Sequence, residues 1–492
     1  MRQLQLEFVM NSTINRWIQI LNIIEKEQNF TLGDLSDILL VSQRTLVKDI
    51  NEIKQYMGDS IDLQARQTGF VFKEVHYKCY MDKKSDLLES EILFYIIGQI
   101  FNGELRTIQE LARDFNYGKN TVRRFLSRAE KALNSYLLNF SLNPVTLIGD
   151  EENIRKFFYD FYYLGEYTSH TIRVPKELES IVLDKLSDQF GNLEIGTGLS
   201  SSAMIFLLYV MIRRVQQNNF IKIAPKVKKM VEKEKDFQVL YSIQETISKE
   251  YDIKIPKEEF IWLYVVLISQ RTMHNLDQEH LFLERFNQGV KVKAIATDYF
   301  SESKFSGVDQ ENMEVFLASF LVSKSFIQSV QPIWNKRQVE EIERVRKNYA
   351  TLYQLNHQFL RKHRKDLKLT TAYFEDIVVE FTLFSNLLLN MYHPGKNVVF
   401  LLEGDSLLMQ VIRQQAVNRL TPPHCLFFPQ LVDWTSNQFN IEKIDLIVTN
   451  YRPYLWDYDY AQDYLLVNTI PNEFDWRRIM KYVNQRLEST YI

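Results

Sequence analysis

Cysteine is almost absent from this chain of 492 residues: Cys79 and Cys425 lie far apart and form no CxxC or Cys/His cluster. That excludes a disulfide framework and a structural zinc site, and it fits a reducing cytoplasm. Glycine and proline are also few, 15 and 11, and no residue-biased tract appears. A mostly helical protein with short connections follows. Long apolar runs are missing. The most apolar stretches, 203–212 and 260–269, reach about half a membrane span, and Arg213 and Arg214 close the first. Both read as buried core helices, with no membrane contact. The N-terminal MRQLQLEFVMNST lacks the apolar core and small-residue cleavage site of a signal peptide, so a cytoplasmic location is expected. A large charge of one sign is missing too. The formal net charge of -3 excludes nucleic-acid binding over the whole surface, so any DNA-binding charge must be local.

What is present is ordinary globular composition, 46% apolar and 25% charged, over a length that implies about three or more domains. Within it lies a repeat. TLGDLSDILLVSQRTLVKDINEIKQYM (31–57) returns 76 residues later as TIQELARDFNYGKNTVRRFLSRAEKAL (107–133). Each copy is a short apolar-periodic helix, a tight break and a longer helix with a polar outer face, the pattern of a helix-turn-helix. An apolar-striped helix precedes each: Trp17, Ile20, Leu21 and Ile24, then Leu93, Ile96, Ile97 and Ile100. The repeat unit is therefore a three-helix domain. IDLQAR (61–66), a turn and FVFKEV (70–75) read as the hairpin of a winged helix, while 137–150, with breakers at Pro144 and Gly149, reads as a degenerate wing.

In the first copy, Thr31 caps the leading helix and Ser42 the recognition helix. Leu46, Ile50, Ile53 and Met57 make the buried stripe, which turns Gln43, Arg44, Lys48, Asn51 and Gln55 outward, with Thr45 beside them. Amide and guanidinium groups suit base edges, and hydroxyls at a helix start suit phosphate. In the second copy Val122, Leu126, Ala129 and Leu133 point inward. Lys119, Asn120, Thr121, Arg123, Arg124, Arg128 and Lys131 face out or flank, opposed only by Glu130. Phosphate contacts of that kind make affinity strongly salt-dependent.

Residues 151–392 read as amphipathic helices in two groups, with 283–309 as the segment connecting them. Past residue 395, NVVFLLEGD, HCLFFPQ, IDLIVTN and YLLVNTI are short β-rich runs alternating with helical stretches at 406–420 and 475–487. They indicate a small parallel α/β domain.

On its two helix-turn-helices, LIGDEENIRKFFYDFYY (147–163), and SSAMIFLLYVMIRRVQQNNFIKI followed by IPKEEFIWLYVVLI, the chain resembles the Mga/AtxA-type virulence regulators of Gram-positive bacteria. These are transcription factors with phosphotransferase-regulation domains (PRDs). The resemblance implies a mainly α multidomain chain: a winged helix-turn-helix domain (1–80), a second helix-turn-helix domain (81–165) and two PRD-like helical bundles (166–285 and 286–392). It ends in an α/β domain with a parallel sheet (393–492), similar to the IIB component of sugar phosphotransferase systems (PTS). It also implies double-stranded promoter DNA as partner, a homodimer through the C-terminal domain, and a PTS phosphocarrier acting on PRD histidines. The places of the usual first-PRD histidines hold about Phe206 and Val266, leaving His170, His274 and His357 as phosphoacceptor candidates. No histidine has metal-ligand spacing on a helix, and neither metal nor cofactor is expected. Nor is catalysis. The loop after the first strand of the α/β domain carries Glu403 and Asp405, which would repel phosphate, and Cys425 falls inside the second strand. Two other readings share features of the chain, a PRD-containing RNA-binding antiterminator and a phosphorelay or scaffold protein.

Overall fold

The computed structural model describes residues 1–190, 193–301, 310–392, 395–420, 424–429, 444–454 and 463–483. They form two compact units. The first is Met1–Gln288 with Val322–Glu340 and Lys368–Tyr373; the second is Gly289–Leu321, Glu341–Leu367 and Phe374–Ile492.

The first unit opens with a turn, α1 (Gln3–Leu6), and then the first repeat. Helix α2 (Ser12–Glu27) is capped by Asn11, whose side chain accepts from the amides of Thr13 and Ile14. Helices α3 (Leu32–Leu39) and α4 (Gln43–Met57) follow, and α4 buries Leu46, Ile50, Ile53 and Met57 as the stripe requires. Strands β2 (Ile61–Arg66) and β3 (Gly69–Glu74) pair antiparallel into the expected wing. A two-residue strand, β1 (Asn29–Phe30), adds to the outer edge of β3. Gly69 is required there: its φ is +133°, and a Cβ would lie 2.4 Å from the Phe30 carbonyl oxygen.

Helix α5 (Tyr77–Asp86) leads to the second copy: α6 (Ile92–Asn102), α7 (Ile108–Asp114), α8 (Lys119–Asn134), β4 (Asn139–Leu142) and β5 (Val145–Ile148). The degenerate wing expected over 137–150 is in fact a complete hairpin, with Leu142 opposite Val145 and Arg106 bridging to Val145 as β1 does in the first copy. Pro144 does not break it because it lies in the turn after a cis bond, where no ladder N–H is needed. Helix α9 (Glu151–Phe158) and a π-helical turn (Tyr159–Tyr163) bury Phe157, Phe158 and Phe161 against Phe8, Phe94 and Phe101. The aromatic stretch thus forms a core with the N-terminal turn and α6.

The first helical group is α10 (Lys176–Phe190), α11 (Ser201–Gln216), α12 (Pro225–Val231), α13 (Lys235–Tyr241), α14 (Gln244–Glu250), α15 (Lys257–Ile268) and α16 (Leu276–Phe286). Every residue of α15 from Glu259 to Ile268 is buried, as its uninterrupted apolar run demands. The segment 283–309 is not a plain connection. Its start belongs to α16, and α17 (Val292–Phe300) buries Val292, Ile295, Ala296, Tyr299 and Phe300. Residues 302–309 lie outside the described residues.

The second group continues with α18 (Gln310–Val330), α19 (Val339–Asn348), α20 (Ala350–His363) and α21 (Phe374–Met391). Helix α18 alone among the described residues is long and apolar enough to cross a membrane. As 83% of its apolar window is buried, it reads as a core helix. In the second unit Asn356 is fully buried and satisfied by Tyr299, Ser385 and Thr382. Beyond lies a four-stranded parallel sheet ordered β7-β6-β8-β9, from β6 (Asn397–Leu401), β7 (Cys425–Phe427), β8 (Leu446–Thr449) and β9 (Asp463–Leu466). Helices α22 (Ser406–Arg419) and α23 (Glu473–Val483) cover it through Ile412, Ala416, Trp476 and Ile479. Residues 484–487 of the last expected helix lie outside the described residues.

Candidate nucleic-acid interface

Both leading helices start with a capping box. Thr31 Oγ1 accepts from the Asp34 amide at 3.1 Å, and Asp34 takes the Thr31 hydroxyl at 2.7 Å. Thr107 and Glu110 repeat the arrangement, with the Thr107 amide 2.8 Å from the Glu110 carboxylate. The Thr107 backbone and hydroxyl donors hold the Glu110 carboxyl below its ordinary range. Ser42 caps α4 through the Thr45 amide at 3.3 Å, and its hydroxyl lies 2.9 Å from that of Thr45. Thr31, Ser42 and Thr45, expected near phosphate, therefore spend their hydroxyls on local structure.

On α4, Gln43, Arg44, Lys48 and Asn51 are exposed, as expected, and Lys48 lies 3.7 Å from Glu52. Sequence reasoning missed Asp49, which is buried on the same helix. Its carboxylate accepts from Arg16 Nη2 at 2.7 Å and Trp17 Nε1 at 3.2 Å, fixing α4 to α2. Such an anchor sets the angle at which a recognition helix is presented. Lys54 ties α4 to the wing through the Leu63 carbonyl at 2.9 Å.

On α8, Lys119, Asn120, Arg123, Arg124, Arg128 and Lys131 are all exposed, and Thr121 is half-buried. Lys119 donates to Gln109 and Arg123 to Asn120, each at 3.2 Å. Among the described residues no acid lies within ion-pair distance of these five cations. The helix thus presents a net positive face.

The turn of the first copy carries Leu40 at φ 54°, left-handed and 90% exposed. Its counterpart in the second copy is Asn116 at φ 55°. A branched side chain in that region costs about 1 kcal/mol, and Asn tolerates it better. Leu40→Asn should therefore slow hydrogen exchange of the α3 and α4 amides in the full chain by about fivefold. Unchanged or faster exchange would show that Leu40 makes a compensating contact.

The three histidine candidates do not come together. His170 is half-buried, its Nε2 at 3.0 Å from the Leu88 carbonyl and 3.1 Å from that of Glu89. His274 is exposed. His357 Nε2 lies 3.0 Å from Glu375, which also pairs with Arg346 at 2.7 Å. His363 makes a similar pair with Asp298 at 2.8 Å, a partnership invisible in the sequence. No group of three metal-ligating side chains occurs among the described residues. In the C-terminal sheet, Asp405 accepts from the amides of Leu407 and Leu408 at 2.9 Å, so its carboxylate occupies the start of α22. Cys425 opens β7.

Comparison with known proteins adds three matches: an HTH domain over residues 16–70, the Mga helix-turn-helix domain over 81–162 and a PRD domain over 189–270. The chain thus carries the domains of PRD-containing transcriptional regulators and is similar to those of the Mga/AtxA type. It is 21% identical over 490 residues to the capsule synthesis positive regulator AcpA of Bacillus anthracis, covering 97% of both chains. It is 25% identical over 272 residues to the capsule synthesis positive regulator AcpB of that organism, covering 54% of this chain and 55% of AcpB. The transcriptional regulator ManR of Bacillus subtilis (strain 168) is 18% identical over 292 residues, 54% of this chain and 45% of ManR. With these domains the chain is a DNA-binding transcriptional regulator, and α4 and α8 are the second helices of its helix-turn-helix domains.

Proposed function

We propose that this cytoplasmic regulator binds promoter DNA with α4 and α8 together, α4 reading bases and α8 holding phosphates. The observation carrying this reading is the contrast between the copies: outward amides on α4, and on α8 five exposed cations that meet no acid within ion-pair distance among the described residues. Gln43, Arg44, Lys48 and Asn51 are the readers, and Lys119, Arg123, Arg124 and Arg128 the anchors. The C-terminal domain, IIB-like in its parallel sheet, joins two copies, which brings four heads to one site and lengthens the footprint beyond one helical turn. The domains divide as the resemblance implies, near residues 80, 165, 285 and 392. A PTS phosphocarrier modulates the PRD-like bundles. His274 is the accessible acceptor of the three, since the rings of His170 and His357 are already bonded. Near full-length similarity to a capsule synthesis positive regulator supports activation of surface-polymer genes. The test is to compare binding of the full chain to genomic duplex fragments and to hairpin RNA. Tighter binding to duplex is expected. Equal or tighter binding to RNA would instead favour an antiterminator, and phosphate uptake without nucleic-acid binding a phosphorelay protein.

A further inference from the structure

We infer that Val47 is a base-reading residue of the first helix-turn-helix, recognising the C5 methyl of thymine. The inference rests on the reading of α4 as a major-groove helix. Val47 follows Gln43 by four positions and Arg44 by three, and precedes Asn51 by four, so it lies at the centre of the outward face. It is 43% exposed there, the sole apolar residue among Gln43, Arg44, Lys48 and Asn51.

Folding does not ask for it. The inward stripe of α4 is complete with Leu46, Ile50, Ile53 and Met57, each no more than 3% exposed. A β-branched residue on an exposed helix face is a mild liability. The repeat does not ask for it either, because the second copy has Arg123 at the aligned position, 76 residues on. Solubility would favour a polar side chain. What an apolar group at that place does fit is the one apolar feature of the major groove, the thymine methyl, which distinguishes an A·T pair without a hydrogen bond. The flanking Arg44 and Lys48 supply attraction to the duplex, and Gln43 and Asn51 supply amides suited to adenine. Gln43, Val47 and Asn51 are thus the part of this face suited to A·T pairs.

The experiment begins by selecting duplexes from a random pool with the full-length chain. Each thymine of the selected site is then replaced in turn by deoxyuridine, which removes only the methyl. For the wild type, deoxyuridine at one or two positions should weaken binding about fourfold, the size expected for one buried methyl. In Val47→Ser, whose exposed site leaves the helix intact, the same replacements should change affinity by less than about 1.5-fold. Indifference of the wild type to every methyl, or an equal loss in Val47→Ser, overturns the role of Val47 while duplex binding stands. Failure of the wild type to enrich any duplex overturns the major-groove reading itself.

Discussion

Glu259→Leu should destabilise the full chain by about 3–5 kcal/mol, the cost of leaving a buried charge without its partner. Glu259 and Arg155 are both fully buried, joined by Arg155 Nη1 to Glu259 Oε2 at 2.6 Å. The other carboxylate oxygen accepts the Ile221 amide at 2.9 Å. Arg155 also reaches Glu151 at 2.9 Å and lies 4.7 Å over the Trp262 ring, and Arg214 pairs with Glu151 at 2.8 Å. Two guanidinium groups and two carboxylates balance, so leucine at 259 leaves one buried positive charge and an orphaned amide. Replacing both partners, as in Arg155→Met with Glu259→Leu, removes the charge imbalance and should recover most of the loss. Urea midpoints of the wild type, both single variants and the double variant close the cycle. A double variant as unstable as the sum of the singles would mean the pair contributes through shape and not through charge.

The same cluster has a pH signature. Burial pushes the Glu151 carboxyl up, but Arg214 and Arg155 outweigh it and hold the group below its ordinary value of 4.5. A carboxylate depressed on folding adds stability that is complete above the unfolded value. That stability disappears as pH falls through the folded one. The cluster joins α9, the end of the Mga-type domain, to α11 and α15 of the PRD match. Its loss should therefore loosen the link between reading and regulatory domains on the acid side.

The parts legible in the sequence are those with local causes. Caps at Thr31 and Ser42 and the 3.6-residue stripes announce their own helices, so both repeats are legible in the sequence. The second wing is harder to read, because Pro144 has the character of a breaker unless it occupies the turn, as it does between β4 and β5. Strand β1, two residues long, has no period to detect. The helix hidden in 283–309 did leave a signal, since Val292, Ile295, Ala296 and Tyr299 follow helical spacing, but Gly289 and the neighbouring charges masked it. Asp49 was unreadable for a different reason. A carboxylate on a polar helix looks solvated until Arg16 and Trp17, more than thirty residues away, are seen to surround it. Val47 gives no signal by polarity, because an apolar side chain on an outward helix face stands apart from the amides and cations around it.

Arg123→Ala with Arg124→Ala should weaken duplex binding about thirtyfold near 0.15 M salt and lower the salt slope by about 1.8, the values for two lost phosphate contacts. Both side chains are exposed on α8, and among the described residues neither meets an acid, so their charge is available to the backbone of DNA. The fold should not suffer. The inward stripe of Val122, Leu126, Ala129 and Leu133 is untouched, and alanine is the best helix former. Because phosphates carry no sequence, the loss should be the same on every duplex, leaving the ranking of selected sites as it was. Titrations of the full chain at several salt concentrations, on a preferred and a scrambled duplex, read both quantities at once. An unchanged slope would remove α8 from the interface. A normal slope with an altered ranking would make α8 a reader, and the division of labour between the copies would then have to be reversed.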